Sequence, residues 1–411
     1  MNRWLPLVAK IPEDMTTVEQ AEKIVLAQLT DYGTEAVPFE KALGRVLAED
    51  IRADRDLPPF NRVTMDGIAI SFKAAEEGIN TFHIKATQAA GDEPIGIEDN
   101  DLCIEIMTGA SLHPSLDTII RYEDLEIRNQ LAALTIHAVK KGQNIHFKGK
   151  DKHTGDVVAA ANQKVTPAII SLAASVGKAT LAVKKLPRVV IISSGDELVD
   201  VTDTPTTYQI RRSNNYTIKA ALTNHGLHAD MLHISDNPDI TREQIATCLQ
   251  NYDVILLSGG ISMGKFDYIP KALEALQVDK LFHKVSQRPG KPFWFGRHNN
   301  GALVFAFPGN PVATFMCLHR YFLLWSNATL GLTAKAPVYA VLARDFSFQP
   351  QLQYFLQVKL NFNNQGQLMA TPIEGNGSGD FANLADTDAF MELPLERNDF
   401  EKGEVYQVWT F

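Results

Sequence analysis

The chain has 411 residues, 45% of them hydrophobic and 21% charged, which is ordinary globular material and too long for one small core. Its formal net charge of -9 argues against overall attraction to nucleic acid or anionic membrane, and points to a small molecule held in a local pocket. The three cysteines, Cys103, Cys248 and Cys317, lie far apart without CxxC or metal-ligand spacing, so they fit a reducing cytosol rather than structural zinc.

No run approaches the ~18 apolar residues of a membrane span, so a cytoplasmic protein is expected. The first helical pattern opens at Thr16. Thr16 and Glu19 have capping-box spacing, and Val18, Ala21, Val25, Leu26 and Leu29 share one face ahead of Asp31-Tyr32-Gly33. Short runs such as "TFHIKAT", "DLCIEIMTG" and "TIIRYEDLEI", broken by Gly, Pro and Asp, then predict a β-rich unit without a long helix. "TPAIISLAASVG" predicts a helix from Pro167 closed by Gly177, and "ATLAVKKLP" a strand.

Beyond Pro187 the pattern becomes buried strand, polar loop, helix, repeated through "RVVIISS", "SNNYTIKAALTNHG", "HADMLHIS", "TREQIATCLQNY" and "VILLSGG". That alternation predicts a parallel α/β sheet, because parallel strands need helical crossovers and are covered on both faces. "HNNG" between "PFWFG" and "ALVFAF" predicts a hairpin, hence a partly antiparallel sheet. From about residue 335, "PVYAVLARDF", "YFLQVKL" and "VYQVWTF" predict a small C-terminal β domain.

Ligands of open α/β sheets sit beyond the carboxyl ends of the strands, and three loops there carry chemistry. "ISSGDEL" offers Asp196 and Glu197 after Gly195, although a turn opening a helix would use the same residues. "SGGISMG" lacks P-loop or dinucleotide spacing. Its glycines nonetheless let backbone amides approach an anion, with Ser258 and Ser262 adding hydroxyls. In "RPGKPFWFG", Arg288 and Lys291 bracket a Pro-Gly turn and offer two cations to an oxyanion; "FPGNPVATF" is a stiff loop at a helix start. Each loop alone also reads as a plain turn; three in one sheet point to a site. The histidines show no HExxH or HxH pairing, and no GxSxG elbow supports nucleophilic hydrolysis.

The order of "LPPF...MDG.A", "MTGA", "NIHFKGKD..TGDVV", "ISSGDELV", "LLSGGISMG..DY", "RPGKPFWFG", "FPGNPVATF" and "GSGDFANL" resembles the MoeA family across nearly the whole chain. These are the molybdopterin molybdenumtransferases, related to the E domains of gephyrin and of the plant molybdenum insertase. The resemblance implies an elongated, multi-domain α/β plus β chain. Residues 1–50 with 145–182 would form a linking domain and 51–144 a β-rich domain; 183–330 would be a three-layer α/β molybdopterin-binding domain and 335–411 a barrel-like β domain. It further implies a cytoplasmic homodimer with the site between the α/β domain of one subunit and the β-rich domain of the other. The implied activity is insertion of molybdate into adenylylated molybdopterin with release of AMP, using Mg²⁺. A contact with the adenylyltransferase that supplies the substrate is also implied.

Carried onto this chain, the resemblance assigns Asp66, Glu197, Asp267 and Lys291 to catalysis, and Asp196, Glu197 and Asp267 to the metal. Substrate binding falls to Thr108 and Asp151, to Gly195 and Asp196, to Ser258, Gly259, Gly260 and Ser262, to Arg288, to Pro308, Gly309, Asn310 and Pro311, and to Ser378. The chain also departs from the family pattern. Arg212 and Lys265 stand where acids are usual, Arg288 replaces a lysine, and His146-Phe147-Lys148 replaces an arginine-rich run. Exchanging carboxylates for cations weakens a metal site and strengthens an oxyanion site. A non-catalytic, pterin-binding paralogue is therefore the alternative expectation.

Overall fold

The structure is a computed structural model that describes residues 15–261, 268–332, 336–375 and 380–411. Helix Val18–Leu26 buries Val18, Ala21 and Val25. Its capping box is formed by Thr17 and Gln20, one residue later than the Thr16 and Glu19 spacing predicts. Thr16 is otherwise engaged: its N–H donates to the Lys284 carbonyl at 3.0 Å, and its own carbonyl accepts from Ser286 N–H at 2.8 Å. The helix stops well before Asp31, and Leu29 is left 48% exposed.

Strands Thr34–Pro38 and Thr180–Lys184 pair antiparallel, from Thr34 opposite Lys184 to Pro38 opposite Thr180, so segments distant in sequence form one ribbon. Helix Pro167–Ser175 packs near it, with the Thr166 hydroxyl accepting from Ile169 N–H. Between them lies a six-stranded sheet in the order Thr118–Arg121, Gly67–Ile70, Leu102–Ile106, Thr81–Gln88, Leu131–Leu134, Leu125–Arg128. Strand Gly67–Ile70 shows why both faces are apolar. Ile68 and Ile70 join Phe82, Cys103 and Ile120 on one side, while Ala69 joins Ile104, Ile106 and Ile119 on the other.

The α/β sheet has the order Ala229–Ile234, Val189–Ser194, Val254–Ser258, Leu303–Phe307, Trp294–His298, Val278–His283. Its first four strands are parallel, and the "HNNG" hairpin makes Trp294–His298 antiparallel to Leu303–Phe307. Alternate residues of each strand face opposite layers. Val189, Ile191, Val254, Leu256 and Phe305 pack with helix Asn214–Asn224 and the helical run from Pro311 to Thr329. Val190, Ile192, Ile255, Leu257 and Val304 pack with helices Pro238–Asn251 and Ile269–Ala275. The result is three layers with an aromatic heart in which Phe293, Phe305, Phe307, Tyr321 and Trp325 are fully buried.

In the C-terminal region, strands Gln353–Phe362, Leu368–Pro372, Val338–Leu342, Val405–Thr410 and Ala389–Leu393 follow one another. Pairing of Gln353–Phe362 with Ala389–Leu393 closes them into a five-stranded barrel. Closure removes the sheet edges that would otherwise remain unpaired. The short strand Gln287–Arg288 adds in parallel to Gln353 and Tyr354, joining the α/β unit to the barrel wall.

Candidate functional site

Strands Val189–Ser194, Val254–Ser258 and Leu303–Phe307 end in step, with Ser193 opposite Ser258 and Ser258 opposite Phe307. From the first of these strands the chain goes to the neighbour at 229–234, whereas the other two lie on its opposite side. The loops after them therefore diverge and open a crevice, as the reversal of strand order does in doubly wound sheets. A cleft of about 880 Å³ occupies this place, with loops 194–198, 258–261 and 308–311 on its walls and the start of helix Asn214–Asn224 at its floor.

Asn214 ties two of the walls together. Its amide donates to Ser258 Oγ and to the Gly309 carbonyl, both at 2.8 Å, while Thr314 Oγ1 donates to the Pro308 carbonyl at 2.6 Å. The loops pack so closely that a Cβ on Gly309 would lie 3.6 Å from the Gly259 Cα. Below Ser194, Ser193 Oγ accepts from Asn215 Nδ2 at 3.0 Å and lies 3.0 Å from His233 Nδ1. Burial, reinforced by the Arg212 charge, holds His233 below its ordinary value. Buried hydroxyls and amides on this floor are thus satisfied internally, which fixes their geometry.

The acidic pair of "GDEL" is split. Glu197 lines the cleft. Asp196 instead accepts from Asp236 N–H at 3.1 Å and donates its own N–H to the Asp236 carboxylate at 3.4 Å, which ties it to the loop after strand Ala229–Ile234. The segment "GDEL" also leads into a short strand, Leu198–Val199, paired in parallel with Ile210–Arg211, where the alternative reading has a helix start. Gly195 is adjacent to Glu197 across this turn.

Ser258, Gly259, Gly260, Pro308, Gly309, Asn310 and Pro311 all line the cleft together with Glu197. Lys291 is exposed and Pro292 beside it reaches the lining. Arg288 turns to the barrel, its guanidinium 5.8 Å from the Phe348 ring centroid. Ser262, Asp267 and Ser378, and Lys265 with them, lie outside the described residues. Among the described residues, no group of three His, Cys, Asp or Glu side chains is placed to hold a metal ion by itself.

Asp66, Thr108 and Asp151 lie in the β-rich half and are not among the residues lining the cleft of their own chain. Asp66 accepts from Thr108 N–H at 2.6 Å, and the Thr108 backbone and hydroxyl hydrogen bonds hold its carboxyl below the usual range. Asp151 Oδ1 lies 2.9 Å from His146 Nε2, and His146 Nδ1 lies 3.2 Å from Arg62 Nη2. An arginine only donates, so Nδ1 accepts and Nε2–H points at Asp151.

Ser193, Ser194, Asn214 and Asn215 also line the cleft but are absent from the residues assigned by sequence. A signal for them exists: polar residues ending an otherwise apolar strand in "RVVIISS", and paired asparagines opening the next helix in "SNN".

Comparison with known proteins places each region. Residues 16–177 match the MoeA N-terminal region (domain I and II), 190–324 a probable molybdopterin binding domain, and 339–411 the MoeA C-terminal region (domain IV). The chain is 37% identical over 400 residues to the molybdopterin molybdenumtransferase of Synechocystis sp., covering 97% of this chain and 100% of that one. It is 29% identical to the Staphylococcus epidermidis molybdopterin molybdenumtransferase, over 95% of this chain and 94% of the relative. A crystal structure of a molybdopterin biosynthesis MoeA protein from Pyrococcus horikoshii superimposes with a TM-score of 0.79 at 28% identity, covering 96% of this chain and 99% of that one.

Proposed function

The chain belongs to the MoeA family, and on that premise we propose that it is a molybdopterin molybdenumtransferase, inserting molybdate into adenylylated molybdopterin with release of AMP. The observation that carries the reading is the cleft itself. Gly259, Gly260, Ser258 and the stiff 308–311 loop meet at the carboxyl ends of three strands, with Glu197 beside them. Amide and hydroxyl donors suit the oxyanions on both sides of the reaction, pyrophosphate and molybdate.

In this reading, Ser258, Gly259 and Gly260 hold the terminal phosphate of the pterin and the 308–311 loop sets its position, while Asn214 keeps the two loops in register. Lys291 approaches from the rim to balance oxyanion charge. Glu197 fits Mg²⁺ as a single carboxylate, because that ion is commonly held by one or two carboxylates with substrate phosphates and retained waters. Bound there, the ion would neutralise charge on the phosphoanhydride oxygens. No covalent enzyme intermediate is required, since positioning and electrostatics suffice for phosphoanhydride cleavage.

Asp66, Thr108 and Asp151 reach a cleft only if a second copy presents them. Their separation from the cleft lining of their own chain supports a homodimer with the site between subunits. A cytoplasmic location and a contact with the adenylyltransferase complete the proposal. Purified protein given adenylyl-molybdopterin, molybdate and Mg²⁺ is expected to release AMP. Binding of the substrate without release would favour a pterin-binding paralogue instead, a reading that Arg212 in the cleft motivates.

A further inference from the structure

Arg212 lies between strand Ile210–Arg211 and helix Asn214–Asn224 and lines the cleft. Its side chain is 19% exposed and paired with Asp200, itself 41% exposed and outside the lining. The Arg212 Nε is buried and finds no acceptor among the described residues. A guanidinium carries five N–H donors in a rigid plane, so a single carboxylate behind it fixes its direction without exhausting its capacity. Arg211, also on the lining, gives its Nε to the Asp203 carbonyl at 3.2 Å.

The charge balance follows. The described lining carries Arg211 and Arg212 against Glu197 alone. A carboxylate at position 212 would hold a divalent cation, which in turn would hold phosphate. A guanidinium repels the cation but takes phosphate oxygens directly, with two parallel hydrogen bonds. The start of helix Asn214–Asn224 adds a favourable dipole to the same end of the cleft.

Resting on the functional reading above, we propose that Arg212, oriented by Asp200, directly contacts a phosphate-type anion of the substrate. In doing so it takes over part of the neutralisation that a divalent cation performs, so that anion binding in this cleft does not require the metal. Arg212 is then a specificity-determining residue that adapts the site to a polyanion held by protein cations.

The test is calorimetric binding of inorganic pyrophosphate, in excess EDTA and in Mg²⁺, to the wild type and to Arg212→Ala, Arg212→Lys and Arg212→Asp. The wild type is expected to bind in EDTA within about fivefold of its affinity in Mg²⁺, and Arg212→Ala to lose at least about tenfold in EDTA. Arg212→Lys keeps the charge without the fork and should retain more metal-free binding than the alanine variant. Arg212→Asp should abolish metal-free binding while leaving a Mg²⁺-dependent component. Strictly Mg²⁺-dependent binding by the wild type overturns the proposal, as does Arg212→Ala within about twofold of wild type in EDTA. Should Arg212→Ala lose its thermal midpoint, the lysine variant decides: folded yet no better than the alanine variant, it refutes the contact. Wild-type AMP release with Mg²⁺ present is scored separately. Release accompanied by strictly metal-dependent pyrophosphate binding removes this proposal and leaves the transferase reading standing.

Discussion

Gly260 is the point at which the fold and the cleft depend on a single missing side chain, and Gly260→Ala puts that to measurement. Its φ of +69° lies in the left-handed region, where an L-residue costs roughly 1–2 kcal/mol. A Cβ there would also stand 2.5 Å from Ser194 Oγ and 2.5 Å from Ile269 Cδ1. Ile269 is 1% exposed in a core that cannot give way freely, and overpacking of this kind costs typically 1–3 kcal/mol. Gly301, at the hairpin tip with φ +97° and nothing within 4 Å of its notional Cβ, supplies the control for backbone strain alone. Hydrogen exchange of the Val254–Ser258 amides reports the opening free energy of the affected strand. Gly260→Ala should lower it by about 2–5 kcal/mol, and Gly301→Ala by no more than about 1–2 kcal/mol. AMP release should fall in the first variant and not in the second. Equal loss of protection in the two variants would refute the close approach of the glycine loop to Ser194 and Ile269.

Asn214→Ala removes the amide that joins Ser258 to Gly309; stability should fall by about 1–3 kcal/mol, and the KM for adenylyl-molybdopterin should rise as the two loops separate. Glu197→Gln keeps the shape and removes the charge of an exposed residue; AMP release should drop by about two orders of magnitude with the thermal midpoint nearly unchanged. Burial, with His225 nearby, pushes His319 from 6.5 down to about 3. The unfolded chain thus binds this proton first, and the stability contributed is complete above pH 6.5 and lost as pH falls towards about 3. The slope is up to about 1.4 kcal/mol per pH unit, and His319→Phe should flatten it in urea unfolding followed between those limits.

What the sequence made legible was the part carried by local periodicity. Residues 189–192 in "RVVIISS" and 254–257 in "VILLSGG" are apolar at every position because helices cover both faces of their sheet, and "HNNG" marks the hairpin that sets Trp294–His298 antiparallel to Leu303–Phe307. What was not legible depends on partners distant along the chain. Thr16 loses the capping role to Thr17 because its backbone pairs with residues 284 and 286. Asp196 faces away from the cleft because Asp236, forty residues on, presents its N–H. Arg288 and Lys291 read as twin cations across one turn, yet a strand of the barrel draws Arg288 towards Phe348. Arg212 was visible as a departure from the family pattern, whereas its pairing with Asp200 belongs to the folded chain.

The central claim is the transfer reaction. The most direct measurement incubates the purified protein with adenylyl-molybdopterin, molybdate and Mg²⁺, and follows AMP release together with molybdenum retained on the pterin. The account predicts one AMP per molybdenum inserted, suppressed by Glu197→Gln. No AMP from the wild type, under conditions in which the Synechocystis relative releases it, would contradict the account.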